Sequence, residues 1–293
     1  MKMATKQETK KVYIMTDLEG PSGVNGRSAG IGNKIINEET ACCLLTEEVN
    51  AVVEGLVSAG AKEIIVLDGH GGSNSIQIEN LHPEAELKIY GGGVNPITCI
   101  DASYDAALHI GAHSMMGVKD GFMNHTFNSH AVSNMWLNDK PVGEIAIFAL
   151  LCSYFEVPTI LVSGDRATCR EAKKFLGKVE IVETKIGLSR YSVINKNPIK
   201  VREKLRQTAK QALENRNSFP IKNIKLPYRL KVELMCPNQA DTYEKRGAKR
   251  LDHQTILIES KDFMDLWAQR VGWAPGVHNA HFNTQKEKSR RIK

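Results

Sequence analysis

Short apolar runs that stop abruptly on carboxylate, histidine or glycine recur along this chain: VYIM before DLEG, EIIVL before DGHGG, AALHI before GAHS, and TILVS before GD. A run apolar at every position, rather than every second one, needs cover on both faces, the environment of a buried parallel strand. Between these runs lie segments of helical spacing. NEETACCLLTEEVNAVVEGLVSAG reads as a helix capped by Asn37 and stopped at Gly60, and REAKKFLG follows the TILVSGD strand. PVGEIAIFALLCSYF reads as a helix with Pro141 at its first position. Leu87–Tyr90 is a further strand, VSNMWL is another that turns at Asn138-Asp139, and residues 20–37, with five glycines, read as a loop. Alternating strands and helices predict an α/β fold with a largely parallel sheet flanked by helices. Beyond about residue 185 the pattern changes to an amphipathic helix capped by Asn197 and to the strands RLKVELM and QTILIES, a smaller C-terminal α+β portion. The expected organisation is an α/β catalytic and metal-binding domain over 12–185, the smaller portion over 186–270, and flexible tails at 1–11 and 271–293.

Composition narrows the class. At 42% hydrophobic and 25% charged residues the chain is that of a soluble globular protein. Its net charge of +6 comes from lysines and arginines in residues 1–11 and 285–293, which leaves the body near neutral. A general nucleic-acid surface is therefore not expected. No apolar run reaches the ~18 residues of a membrane span, and MKMATKQETKK has no apolar signal region. The six cysteines form no CxxC pair and sit mostly in apolar surroundings, which fits a reducing compartment. The expected location is cytoplasmic.

The ends of the apolar runs carry the chemistry. Asp17 and Glu19 are two residues apart, so in an extended segment they share a face and disfavour each other's charge unless a cation lies between them. His70 and His113 fall at other strand ends, and ligands gather outside the carboxyl ends of parallel strands. Glu144 opens a helix. Two histidines and three carboxylates form a mixed nitrogen and oxygen set suited to zinc, or to two metals sharing one carboxylate. Asp68 is placed to orient His70. His109 reads as structural, His82 as a turn residue and His130 as an outer support of the cluster; His278 and His281 fall in the C-terminal extension.

The ordered series DLEG, DGH, LHPEAEL, GAH, GFMNH, NDKPVGE and SGDRA resembles the zinc-dependent D-aminopeptidases, self-compartmentalising metallopeptidases encoded in some bacterial dipeptide-transport operons. The resemblance covers residues 12–265. It implies two zinc ions per chain, with Asp17 bridging them, Glu19 and His70 completing one site, and His113 and Glu144 the other. It implies that His125 in GFMNHT is catalytic, as a nucleophile or as an acid–base group. It also implies short peptide substrates with N-terminal D-amino acids and a homo-oligomer, a decameric double ring with enclosed sites. The DGHGG and GFMNHT variants and the basic tails depart from the family pattern, which bears on substrate preference more than on metal binding.

Two other readings compete. The same metals could serve another amide or a phosphoester, with Arg27 or Lys119 as an anion clamp, or the chain could be a ring-forming binding protein without turnover. The histidines gathered beside these carboxylates argue against the last.

Overall fold

The computed structural model describes residues 10–30, 32–72, 74–89 and 100–272. Its main sheet has seven strands. In spatial order they are β11 (Ser192–Asn195), β10 (Glu180–Ser189), β9 (Thr159–Asp165), β6 (Ala106–Ala112), β1 (Lys10–Thr16), β4 (Ala61–Asp68) and β5 (Glu86–Ile89). All neighbours pair in parallel except β10 with β11. The largely parallel α/β sheet expected from the continuous apolar runs is present.

The alternation along β1 explains the layers. Val12 and Ile14 face a core shared with α1 (Glu38–Ser58) and α4 (Pro198–Glu214), while Tyr13 and Met15 face α2 (Glu144–Tyr154). Beneath that second face lies an antiparallel sheet of five strands, in the order β13 (Lys249–Arg250), β14 (Thr255–Ser260), β12 (Tyr228–Leu234), β7 (Val132–Leu137) and β8 (Lys140–Pro141). Leu230, Val232 and Leu234 of β12 point inward while the residues between them are only partly covered, the period-two pattern of a sheet with one wet face. α3 (Arg166–Leu176) packs on α2 and β10, α6 (Phe263–Arg270) on α2 and β14, and α5 (Pro237–Lys245) on β14.

The chain departs from the sequence reading at several places. Residues 25–36 are not loop but a hairpin of β2 (Asn25–Ala29) and β3 (Gly32–Ile36). Its side chains are mostly exposed, so no apolar alternation marks it. Pro141 lies in the edge strand β8, where its missing N–H costs no ladder bond, and the helix starts only at Glu144 after an extended Gly143. Asn37 precedes α1 in a left-handed conformation with no side-chain cap, whereas Asn197 caps α4 through the N–H groups of Ile199 and Lys200. Lys10 and Lys11, expected in the N-terminal tail, belong to β1; Lys11 pairs with Glu63 at 3.2 Å. Residue 185 falls inside β10, and β7, from the first segment, pairs with β12 of the second. Tyr90, Cys99, His278, His281 and most of both tails lie outside the described residues.

Candidate metal centre

Four separate chain segments deliver the site at one end of the main sheet. Asp17 follows β1 directly, and its N–H bonds the Ile110 carbonyl of β6 at 2.9 Å. Two glycines let the strands come this close: a Cβ on Gly20 would stand 2.3 Å from the Gly111 carbonyl carbon, and one on Gly111 would stand 2.1 Å from the Asp17 carbonyl oxygen. His70 lies two residues past β4, His113 one residue past β6, and Glu144 is the first residue of α2, where the helix dipole favours a carboxylate.

The five predicted ligands meet. His70 Nδ1 lies 2.9 Å from Asp17 Oδ1 and 3.2 Å from Glu19 Oε2, although the chain bends at Leu18. His113 Nε2 lies 3.1 Å from Asp17 Oδ2 and 3.2 Å from Glu144 Oε1. The five form two donor triads, Asp17–Glu19–His70 and Asp17–His113–Glu144, each with donor atoms within 4.8 Å of one another, and Glu19 and His113 form a third with His125. His125 stands beside both, its ring stacked on His113 at 3.9 Å and its Nε2 4.0 Å from Glu19 Oε1.

Glu19 Oε2 and His113 Nε2 are buried without a hydrogen-bond partner, although opposing donor atoms stand 3.1–3.2 Å away. Close approach without hydrogen-bond direction is what lone pairs show when they converge on a common centre. The residues therefore fit zinc in both donor type and disposition. Electrostatics agrees. Burial pushes the Asp17 carboxyl up, but His113 and His70 outweigh it and hold it well below the usual range. Burial likewise opposes charge on His113 and His70, and the carboxylates override it to raise both imidazoles well above their ordinary value. The cluster demands positive charge, which a divalent cation supplies more compactly than two protons.

A cavity of about 200 Å³ opens over the cluster. Its walls add Asn33, Phe127, Asn128 and Ser129, none of them marked by a motif, beside His130, the outer support expected from the sequence. The His130 ring packs against Gly32 of the hairpin. Asp68 accepts the backbone N–H groups of Ser75 and Ile76 and so shapes the loop after His70. Glu171, buried and pushed up to about 7 by desolvation, accepts the Met115 N–H beside His113. Lys185, fully buried, donates to the carbonyls of Glu19 and Val24 at 2.9 and 3.0 Å, which pins the 17–24 loop from below. β10 reads EIVETKIGLS, so nothing local marks Lys185 as the buried charge among its glutamates.

Carboxylates and imidazoles buried at the carboxyl ends of a parallel sheet, with a further histidine beside them, are the equipment of a metal-dependent hydrolase. The sequence profile of the M55 peptidase family, described as D-aminopeptidase, matches residues 10–270, and the chain belongs to that family. The D-aminopeptidase of Bacillus subtilis (strain 168) is 30% identical over 269 residues, 88% of this chain and 94% of that protein. A solved structure of the Zn-dependent D-aminopeptidase DppA from Bacillus subtilis, a self-compartmentalizing protease, matches with a TM-score of 0.80 and 25% identity, covering 95% of this chain and 98% of that one.

Proposed function

We propose that the protein holds two zinc ions and removes N-terminal D-amino acids from short peptides. One observation carries this reading: the two oxygens of Asp17 are divided, Oδ1 toward His70 and Oδ2 toward His113, the arrangement of a carboxylate shared between two ions. Glu19 and His70 would complete one site, and His113 and Glu144 the other. Zinc bound there supplies Lewis acidity, lowering the pKa of water and polarising the scissile carbonyl.

The chain's own residues supply the proton path. Nδ1 of His125 lies 2.9 Å from the Met123 carbonyl, which can only accept, so the ring proton sits on Nδ1 and the lone pair on Nε2. Nε2 faces the cavity and takes the proton of the attacking water. The same proton passes to the leaving amine nitrogen as the C–N bond breaks, which returns His125 to its starting form. Among the described residues no Lys or Arg lines the cavity, Arg27 and Lys119 included, so an amide is favoured over a phosphoester.

D-configuration is supported by the family and by the D-aminopeptidase relative. The self-compartmentalizing description of DppA supports a closed assembly, for which we take a decameric double ring. Free cysteines, with Cys42, Cys152 and Cys169 buried, support a reducing, cytoplasmic setting. No helix among the described residues is long and apolar enough to cross a membrane.

The test measures zinc per chain together with turnover of D-Ala-D-Ala and L-Ala-L-Ala. About two zinc ions are expected, with the D-dipeptide strongly preferred. Asp17→Ala should empty both sites, whereas His125→Ala should keep both ions and lose roughly 10²–10⁴ in turnover. Full zinc occupancy in Asp17→Ala removes the shared carboxylate, and near wild-type turnover in His125→Ala removes the acid–base role.

A further inference from the structure

We propose that the turn Arg190–Tyr191 is a positioning device for His125, acting on the Met123 carbonyl through Asn33. This rests on the reading of His125 as the group that acts on substrate. His125 sits in a segment between β6 and β7 without regular structure, and Met123 and Phe127 flank it with φ of 46° and 60°. Non-glycine residues in the left-handed region are strained and persist only where their surroundings hold them. Here the hold comes from the connection between β10 and β11, more than sixty residues away in sequence.

Two sets of bonds converge on the segment. The Arg190 carbonyl accepts the Met123 N–H at 2.8 Å, and Arg190 Nη1 donates to the Asn124 carbonyl at 2.7 Å. Arg190 thus fixes the backbone just before His125 from both its acceptor and its donor side. Tyr191 works through an intermediary. Its hydroxyl donates to Asn33 Oδ1 at 2.8 Å, and Asn33 Nδ2 donates to the Met123 carbonyl at 2.7 Å. That carbonyl also accepts the His125 Nδ1–H at 2.9 Å, so its two lone pairs are both engaged.

The direction of this chain is determined. The carbonyl can only accept, so Asn33 must present its amide N–H₂ to it and its oxygen to Tyr191, which must then donate. Each bond polarises the next. The end of the chain is a histidine whose tautomer is set and whose Nε2 is directed into the cavity. The β2–β3 hairpin, which carries Asn33, thereby joins the wall of the site to its reactive group.

The experiment compares zinc-loaded Tyr191→Phe, Asn33→Ala and Arg190→Met with wild type, each alone and combined with His125→Ala. Tyr191→Phe removes a single hydroxyl. It should keep both zinc ions and the thermal midpoint, leave KM within about twofold, and lower kcat about 3- to 10-fold, the worth of one hydrogen bond. Asn33→Ala and Arg190→Met should lower kcat further. In the His125→Ala background the same changes should cost little more, because residues acting through one group are not additive. ¹⁵N spectra of labelled histidine should show the His125 Nδ1–H form giving way partly to Nε2–H in Asn33→Ala.

Equal losses with and without His125, an unchanged tautomer, or a change confined to KM would overturn the proposal. Full turnover in His125→Ala alone would instead overturn the acid–base reading beneath it. A loss in His125→Ala with none in the three other variants would leave that reading standing and remove only the positioning role.

Discussion

His109 and His113 are four residues apart, yet their surroundings drive them in opposite directions. His113 is flanked by Glu144 and Asp17 and is raised. His109 is buried against the Phe148 ring, with both ring nitrogens lacking a hydrogen-bond partner among the described residues, and burial pushes it down to about 4. A group whose pKa falls from 6.5 to about 4 on folding contributes stability that is present above pH 6.5 and lost as pH drops toward 4. In this window the unfolded chain binds the proton and the folded chain does not. By pH 5 the loss is about 2 kcal/mol. His109→Leu should therefore unfold at a higher urea concentration than wild type at pH 5, relative to the same comparison at pH 7.5; parallel pH slopes for the two proteins would dismiss the effect. Reading His109 as structural needed only its apolar context. Lys185 shows the opposite case. Burial lowers its pKa to about 7, and it serves backbone carbonyls of the 17–24 loop that no spacing rule connects to residue 185.

The crossing of the DLEG and GAH segments is where two strand ends become one site. Asp17 and Glu19 ride on one segment and His113 on the other, and the Gly20 N–H bonds the Gly111 carbonyl at 2.8 Å. The atoms a Gly20 Cβ would meet are backbone, so neither side can yield by rotating a side chain. Gly20→Ala should cost about 1–3 kcal/mol and leave less than half the zinc of wild type. Gly72→Ala, where a Cβ meets nothing within 4 Å, is the control and should change neither. A full zinc complement in Gly20→Ala would show that the crossing does not set the ligand geometry. Elements with strong local signals were readable in advance. β1, β4, β6 and β9 are buried runs, α4 has both its cap and its periodicity, and the Asn138-Asp139 turn takes the positive φ angles of 49° and 63° that its residue types favour. The β2–β3 hairpin was not readable. Its reason for being extended is tertiary, because Gly26 and Gly32 lie against Met123 and His130 of a segment about a hundred residues on. Four candidate ligands were legible because Asp17, Glu19, His70 and His113 follow apolar runs with glycine close by, and Glu144 because it follows Gly143 at the start of an apolar helix; the cavity walls were not, since Asn33 and Ser129 acquire meaning only once the hairpin meets the 121–130 segment.

The assembled subunit leaves apolar side chains uncovered at both edges of its main sheet, Ile89 of β5 at 59% exposure and Ile194 of β11 at 54%. A contact between opposite edges would be head-to-tail, and contacts of that kind close into a ring where the rotation between copies allows and run on as filaments where it does not. Native mass spectrometry of the full chain, 32.5 kDa per copy, should find a closed oligomer; ten copies would match the double ring proposed above, and a monomer at micromolar concentration would exclude the ring. The second sheet has a further consequence. β7 at residues 132–137 pairs with β12 at 228–234, and until then its one neighbour is the two-residue β8. On the ribosome about ninety residues separate the two strands, so at ordinary rates of synthesis β7 waits roughly 5 to 20 s with an open edge. The apolar helix α2 waits with it, because α6, which packs against it, is made later still. A nascent chain in this interval offers neighbouring polysomes an unpaired strand and a helix covered on one side only, so the yield of soluble protein in a cell should fall with crowding of unfinished chains before it falls with any weakness of the finished fold.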